Sequence, residues 1–303
     1  MLARKHAAFI MHAVRTIAVI NQKGGVGKTT TVANLSAAIA AAGHDTCVVD
    51  LDPQSHLTLY FGVEPGSTPR SMYDVLAGDT PFDEALVSVS PKLRLGPSVI
   101  DLAGAEVELV TTVGREQILR DKILVKSLPH EFCFIDCPPS LGLLTLNALA
   151  AADEVIIPLQ PHFLALQGLG RLLETVSLVQ KRINPKLVVS GVMLCMYESS
   201  TRLAGEVVDD LRAFFAAARA SQVPWANTHV FETFIRRNVK LAECPSYGKT
   251  IFDYEPNSHG AADYQVLAEE FLTLAAGKNR STPPTAPATD PAPTAETSPA
   301  GNS

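Results

Sequence analysis

The chain has 303 residues, 47% of them hydrophobic and 18% charged, the balance of a folded globular protein with a buried core and not of a disordered one. No uninterrupted apolar run approaches the roughly 18 residues that cross a bilayer, and no membrane association is expected. With 31 acidic against 25 basic residues the formal charge is −6, which excludes a uniformly basic nucleic-acid coat and leaves any such contact to a local patch. The 5 cysteines, an odd number without a C-x-x-C pair, point to reduced thiols in a cytoplasm and away from a disulfide framework or a zinc site.

Residues 1–14 read as a flexible extension, with Arg4, Lys5 and His6 before a short apolar stretch that His12 interrupts, and without the cleavage site of a signal peptide. Short β-branched runs then alternate with longer helical patterns. Strands are expected at 16–20, 46–50, 132–136, 154–158 and 187–193. Helices are expected at 29–42, where Gly43 stops the pattern, and at 116–128, 142–151, 167–181, 202–218 and 261–276. Near-continuous apolar runs such as EVIIPL and LVVSGVML suit a parallel sheet covered on both faces. The expected class is α/β, a doubly wound, mostly parallel sheet with helices on both faces, in one domain over 15–277. Residues 278–303 read as a disordered tail, because from Ser281 onward Pro, Thr, Ala and Ser leave no large apolar side chain to bury.

Between the first strand and the first helix stands Asn21-Gln22-Lys23-Gly24-Gly25-Val26-Gly27-Lys28-Thr29-Thr30. Glycines at 24, 25 and 27 let the backbone curl until successive N–H groups point inward, and the helix N-terminus adds its positive dipole end. Lys23 to Thr30 thus form a cradle for a triphosphate, with Lys28 on the β and γ phosphates and the Thr29 hydroxyl placed for Mg²⁺.

The second strand ends in Asp50-Leu51-Asp52-Pro53-Gln54, at the carboxyl edge where open α/β sheets bind ligands. Asp50 is expected to face the loop and the Mg²⁺ shell, and Asp52, on the turn, to orient the attacking water. The run Phe132 to Asp136, apolar until its final acid, is a Walker B arrangement whose carboxylate holds Mg²⁺ directly or through water. The neighbouring Cys133 and Cys137 read as packing residues.

The loop departs from the simple G-x-x-x-x-G-K-[ST] pattern: Gln22 takes the place of the first glycine and Lys23 follows. It resembles the deviant Walker A motif, K-G-G-x-G-K-[ST], of the ParA/MinD family of ATPases. The strings DLDPQ, IDCPPSLG, PLQPHFLALQGLGRLLETV and FETFIRRNVKLAECPSYGKTIFDYEPNSHGAADY are similar to stretches of its ParA/Soj branch, over about residues 15–276. Three positions depart from it: His162 and Gln167 stand where Glu is common, and Arg236 where Pro is usual.

The resemblance implies a slow, Mg²⁺-dependent ATPase that closes an ATP-sandwich homodimer. Lys23 would reach across to the partner's nucleotide, as an arginine finger does elsewhere, and Asp52 would be needed for hydrolysis and stand with Thr29 and Asp136 at the metal. Arg237 and Arg202 match family arginines that contribute to non-specific DNA binding, with Arg236 and Lys240 extending the patch. A ParB-like or cargo-adaptor protein would trigger hydrolysis and release, placing the protein in the cytoplasm on the nucleoid. The cargo reads as a chromosome or plasmid, with a protein assembly such as a chemoreceptor cluster or carboxysome as the alternative. A MinD-like membrane protein would need a C-terminal amphipathic helix that the Pro-rich tail does not form. Among metabolic P-loop enzymes of this fold, an iron–sulfur reductase would need cluster cysteines not seen here, and a ligase has no evident substrate-pocket residues.

Overall fold

The computed structural model describes residues 14–124, 130–162, 165–198 and 202–281; the expected extension at 1–13 and the tail from 282 lie outside the described residues. The strands are β1 (Arg15–Val19), β2 (Thr46–Asp50), β3 (Val87–Ser90), β4 (Leu93–Gly96), β5 (Phe132–Asp136), β6 (Glu154–Leu159), β7 (Val188–Tyr197), β8 (His229–Val230) and β9 (Ile235–Arg236). The helices are α1 (Lys28–Ala41), α2 (His56–Tyr60), α3 (Met72–Leu76), α4 (Leu102–Glu108), α5 (Ile118–Leu124), α6 (Leu143–Ala151), α7 (Ala165–Arg182), α8 (Arg202–Ala218), α9 (Val239–Tyr247), α10 (Ile251–Tyr254) and α11 (His259–Ser281).

The strand order is β3-β4-β2-β5-β1-β6-β7-β8, with β9 also on β7, and every pairing is parallel except the β3–β4 hairpin at one edge. Alternation along β5 shows why both faces are covered. Cys133 and Ile135 join the core under α4 to α8, whereas Phe132 and Phe134 point the other way, onto Phe271 of α11 with ring centroids 5.4 and 5.6 Å apart. The expected doubly wound, mostly parallel sheet is therefore what the chain forms.

The order also positions the chemistry. β1 lies between β5 and β6, where the winding reverses, and the glycine loop leaves its carboxyl end. In register, Val19 and Asp50 both face Asp136, so the three segments that follow β1, β2 and β5 converge at one edge.

Some elements differ from the sequence expectation. The helix expected at 116–128 is α5, shorter at its start, and residues 125–129 lie outside the described residues. Helix α11 continues through residues 278–281, which had been assigned to the tail, because no proline intervenes before Pro283.

The far edge of the sheet is tied down by one carboxylate. Glu270 of α11 accepts hydrogen bonds from the Glu232 and Thr233 N–H groups (2.9 and 3.0 Å) and the Thr233 hydroxyl (2.7 Å), and its Oε1 is 2.9 Å from the His229 ring. Burial pulls its pKa upward, but the bonds from Thr233, His229 and Glu232 outweigh this and leave it below the ordinary 4.5. Glu270→Ala is expected to cost about 2–4 kcal/mol of stability near neutral pH. A depressed folded pKa places that contribution above the unfolded carboxylate range and removes it as pH falls through the folded value. Urea unfolding of the two chains should therefore converge in acid.

Candidate active site

The glycine loop starts from a fixed base. Asn21 Nδ2 donates to the Pro158 carbonyl at the end of β6 (2.7 Å), and the Lys23 N–H donates to Asn21 Oδ1 (3.0 Å). Gly27 then turns into α1 with φ +94°, a conformation strained for any side chain, and a Cβ there would stand 3.5 Å from Cys195. Helix α1 has no acidic residue in its first turn and no side-chain cap, so its positive end is left for an anion. Lys28, the first residue of that turn, is buried.

Across the loop the Thr29 hydroxyl donates to Asp136 Oδ2 at 2.7 Å. The other oxygen, Asp136 Oδ1, is buried without a hydrogen-bond partner. Burial raises the Asp136 pKa and the Asp50 charge raises it further, against the Thr29 hydrogen bond and the Lys28 charge. A buried carboxylate oxygen with no donor, beside a hydroxyl, is a hard-oxygen pair short of a cation. These residues fit Mg²⁺.

Asp52 sits on the turn beyond β2, half-buried, with Oδ1 accepting the Gln54 N–H at 3.0 Å. Asp50 departs from its expected role. It is fully buried, and its oxygens turn to α2 instead of the loop: Oδ2 accepts from the Thr58 N–H (2.8 Å) and hydroxyl (2.7 Å), and Oδ1 from the Asp52 N–H (3.1 Å). Burial pushes its pKa up to about 7 in spite of the bonds from Thr58. Asp50 is a positioning residue: it holds α2 and the Asp52 turn, which Ser98 closes by donating its hydroxyl to the Asp52 carbonyl (2.8 Å).

Lys23 stands apart from this buried group. It is exposed, and its ammonium is 2.7 Å from Nε2 of His162, one of the positions that depart from the family pattern. To accept from an ammonium the ring must be neutral, and burial with the Lys23 charge lowers its pKa accordingly. Gln167, the other such position in that stretch, is exposed on α7.

Sequence reasoning assigned no residue to a nucleobase. A cavity of about 290 Å³ adjoins the loop, lined by Gly27 and Thr30, by Cys195 and Met196 at the end of β7, by residues 235–239 and 241–242, and by Tyr264. Met196 has φ +52°, a strained backbone of the kind that gathers at ligand sites. Three larger cavities, of about 350, 460 and 510 Å³, touch no residue of the loop.

Of the expected DNA cations, Arg236, Arg237 and Lys240 are individually paired. Arg237 Nη1 donates to Glu198 (3.0 Å), and Lys240 Nζ donates to Glu243 (2.9 Å) and lies over the Tyr254 ring. Arg236 is held by Asp263. Arg202 opens α8, and its side chain lies outside the described residues.

A glycine-rich loop between β1 and α1, at the winding reversal and beside a Walker B carboxylate, defines a P-loop nucleotide-binding protein. A family profile described as an AAA domain matches residues 14–189. Chromosome partitioning protein ParA of Myxococcus xanthus is 43% identical over 259 residues, covering 85% of this chain and 88% of that one. The sporulation initiation inhibitor protein Soj of Bacillus subtilis is 42% identical, over 84% of this chain and 97% of its own. Among solved structures, a protein of Mycobacterium smegmatis described as cobyrinic acid a,c-diamide synthase, with a bound ATP analog and magnesium, is 37% identical. It has a TM-score of 0.72 and covers 88% of this chain and 97% of its own. The chain belongs to the ParA/Soj type of the ParA/MinD family, as an ATPase with ATP and Mg²⁺ as its cofactors.

Proposed function

We propose that the protein is a partitioning ATPase whose ATP-bound subunits close into a sandwich dimer, hold DNA without sequence preference, and let go when a partner stimulates hydrolysis. The observation that carries this reading is the division of labour between two lysines. Lys28 is buried on α1, while Lys23 projects at the surface of the same loop, where a second subunit can meet it.

Within one subunit the loop N–H groups and the start of α1 bind the phosphates, and Lys28 adds a cation to the β and γ groups. Thr29 and Asp136 would hold Mg²⁺, which supplies charge neutralisation on the phosphates when bound. Lys23 of the opposite subunit places a further cation on the transferring phosphoryl group, and Asp52 orients the attacking water. The cavity beside Gly27 and Thr30 takes the nucleoside.

Arg202, Arg237 and Lys240 carry the DNA contact. The pairs of Arg237 and Lys240 are exposed and so contribute little; their cations can exchange a carboxylate for a phosphate. One subunit presents a short basic stretch beside acids, and dimerisation sets two side by side, which gives nucleotide state its leverage on DNA affinity. A ParB-like protein on a chromosome or plasmid fits as the partner, and the nucleoid as the location. Positioning of a protein assembly on the nucleoid uses the same chemistry.

Binding to random-sequence duplex should require Mg-ATP, and log K should fall with log salt by about 0.9 for each phosphate neutralised. Arg237→Ala should make that slope shallower. Equal DNA affinity with and without nucleotide, or a response to liposomes alone, would contradict the proposal. A synthase, the description carried by the solved relative, would show ATP turnover only with a second substrate. ATP hydrolysis in its absence, accelerated by DNA and a partner, is the expected result.

A further inference from the structure

Arg236 differs from the other cations of its stretch. Its N–H donates to Asp263 Oδ2 at 3.0 Å, its Nε lies 3.1 Å from both Asp263 oxygens, and its Nη2 is 2.5 Å from Oδ1. The carboxylate is buried, with a side chain only 9% exposed. In the Arg237–Glu198 pair both partners are open to water, at 73% and 46%. A fork-bonded guanidinium held by a buried acid keeps one orientation, whereas an exposed pair samples many.

The clamp is also joined to the phosphate loop. Asp263 precedes Tyr264, a buried ring whose hydroxyl is 3.2 Å from Thr31 Oγ1 in the first turn of α1. The wall of the cavity beside the loop includes Arg236, Tyr264 and the apolar Ile235, Val239 and Leu241, with Arg237 and Asn238 at the same turn. A largely apolar slot in which one of two guanidinium groups is held by a buried acid is what a nucleobase needs: area to bury, and a planar cation that stacks on a π face.

We propose that Arg236, clamped by Asp263, is a nucleoside-contacting residue that sets affinity for the base, and is not a DNA contact. This rests on reading the loop as the ATP site. Proline, the usual residue at this position in the resembling stretch, has neither the N–H nor the side chain that Asp263 binds, and would leave a buried carboxylate without its partners.

The test uses the full chain with Arg236→Ala, Arg236→Lys, the positioning variant Asp263→Asn, and Lys28→Ala as control. Calorimetric titration with Mg-ADP and Mg-GDP, and binding of random-sequence duplex at saturating ATP, are the readouts. Arg236→Ala is expected to weaken binding of ADP and GDP alike, about 5- to 30-fold, with DNA affinity at saturation unchanged. Arg236→Lys keeps the charge but not the planar fork, so it should fold and still lose affinity for the base, which a merely structural pair would not show. Asp263→Asn should weaken ADP binding in the same direction. ADP affinity within twofold of the parent in both arginine variants, with DNA binding reduced, would overturn the assignment. Undiminished ADP binding by Lys28→Ala would instead remove the ATP site itself.

Discussion

Replacing Lys23 by alanine is expected to lower partner-stimulated ATP hydrolysis by roughly 10³-fold or more while leaving ADP affinity within a few-fold of the parent. The two lysines of the loop occupy different environments, and the prediction follows from that difference. Lys28 is buried beside the Thr29–Asp136 pair, whereas Lys23 is exposed and its ammonium bonds only to the His162 ring among the described residues. A side chain so placed contributes little to holding a diphosphate in its own subunit. To reach a nucleotide in a second subunit it gives up one exposed hydrogen bond to a neutral ring and gains contact with a polyanion. Light scattering in Mg-ATP should find the parent chain dimeric and Lys23→Ala monomeric. A variant that dimerises and turns over like the parent would remove the cross-subunit role.

The parts of this site that were legible in the sequence are those whose signals are local. The loop, α1 and the carboxylate ending β5 are each written in consecutive residues, a strand followed at once by its chemistry. The parts that were missed depend on partners far along the chain. Asp50 was expected to face the loop, yet the donors that claim it belong to Thr58 in α2, a five-residue helix with too few turns to show a period. Lys23 and His162 lie 139 positions apart, and Arg236 and Asp263 lie 27 apart. The β3–β4 hairpin escaped because VSVS alternates at a half-exposed edge without a sizeable apolar side.

Helix α9 contains Pro245, a signal against any helix there. Proline removes the N–H that would bond the Leu241 carbonyl one turn earlier, and the Tyr60 hydroxyl of α2 donates to that carbonyl instead, at 3.3 Å. A tertiary donor thus replaces the missing local one, and no reading of the 239–247 segment by itself would find it.

Asp52→Ala is expected to separate binding from turnover: hydrolysis falls by about 10²- to 10³-fold, while Mg-ATP binding, dimerisation and DNA binding persist. The turn that carries Asp52 is held by main-chain groups that alanine retains. Its N–H still reaches Asp50, and its carbonyl still accepts from Ser98 and from the Ser55 N–H at 2.9 Å. Among the described residues only the Asp52 Oδ1 bond to the Gln54 N–H is lost, on an exposed turn where such a bond contributes about 1 kcal/mol or less. A large fall in rate would then be chemical and not a collapse of the site. Single-turnover phosphate release measures the rate, and retention on DNA after an ADP chase measures the trapped state. A magnesium titration divides the two tasks assigned to this carboxylate: an unchanged Mg²⁺ requirement for ATP binding assigns it to the water, and a raised one places it at the metal with Thr29 and Asp136. Parent-like turnover in this variant would leave the attacking water without its orienting group and return the search to the other carboxylates at this edge.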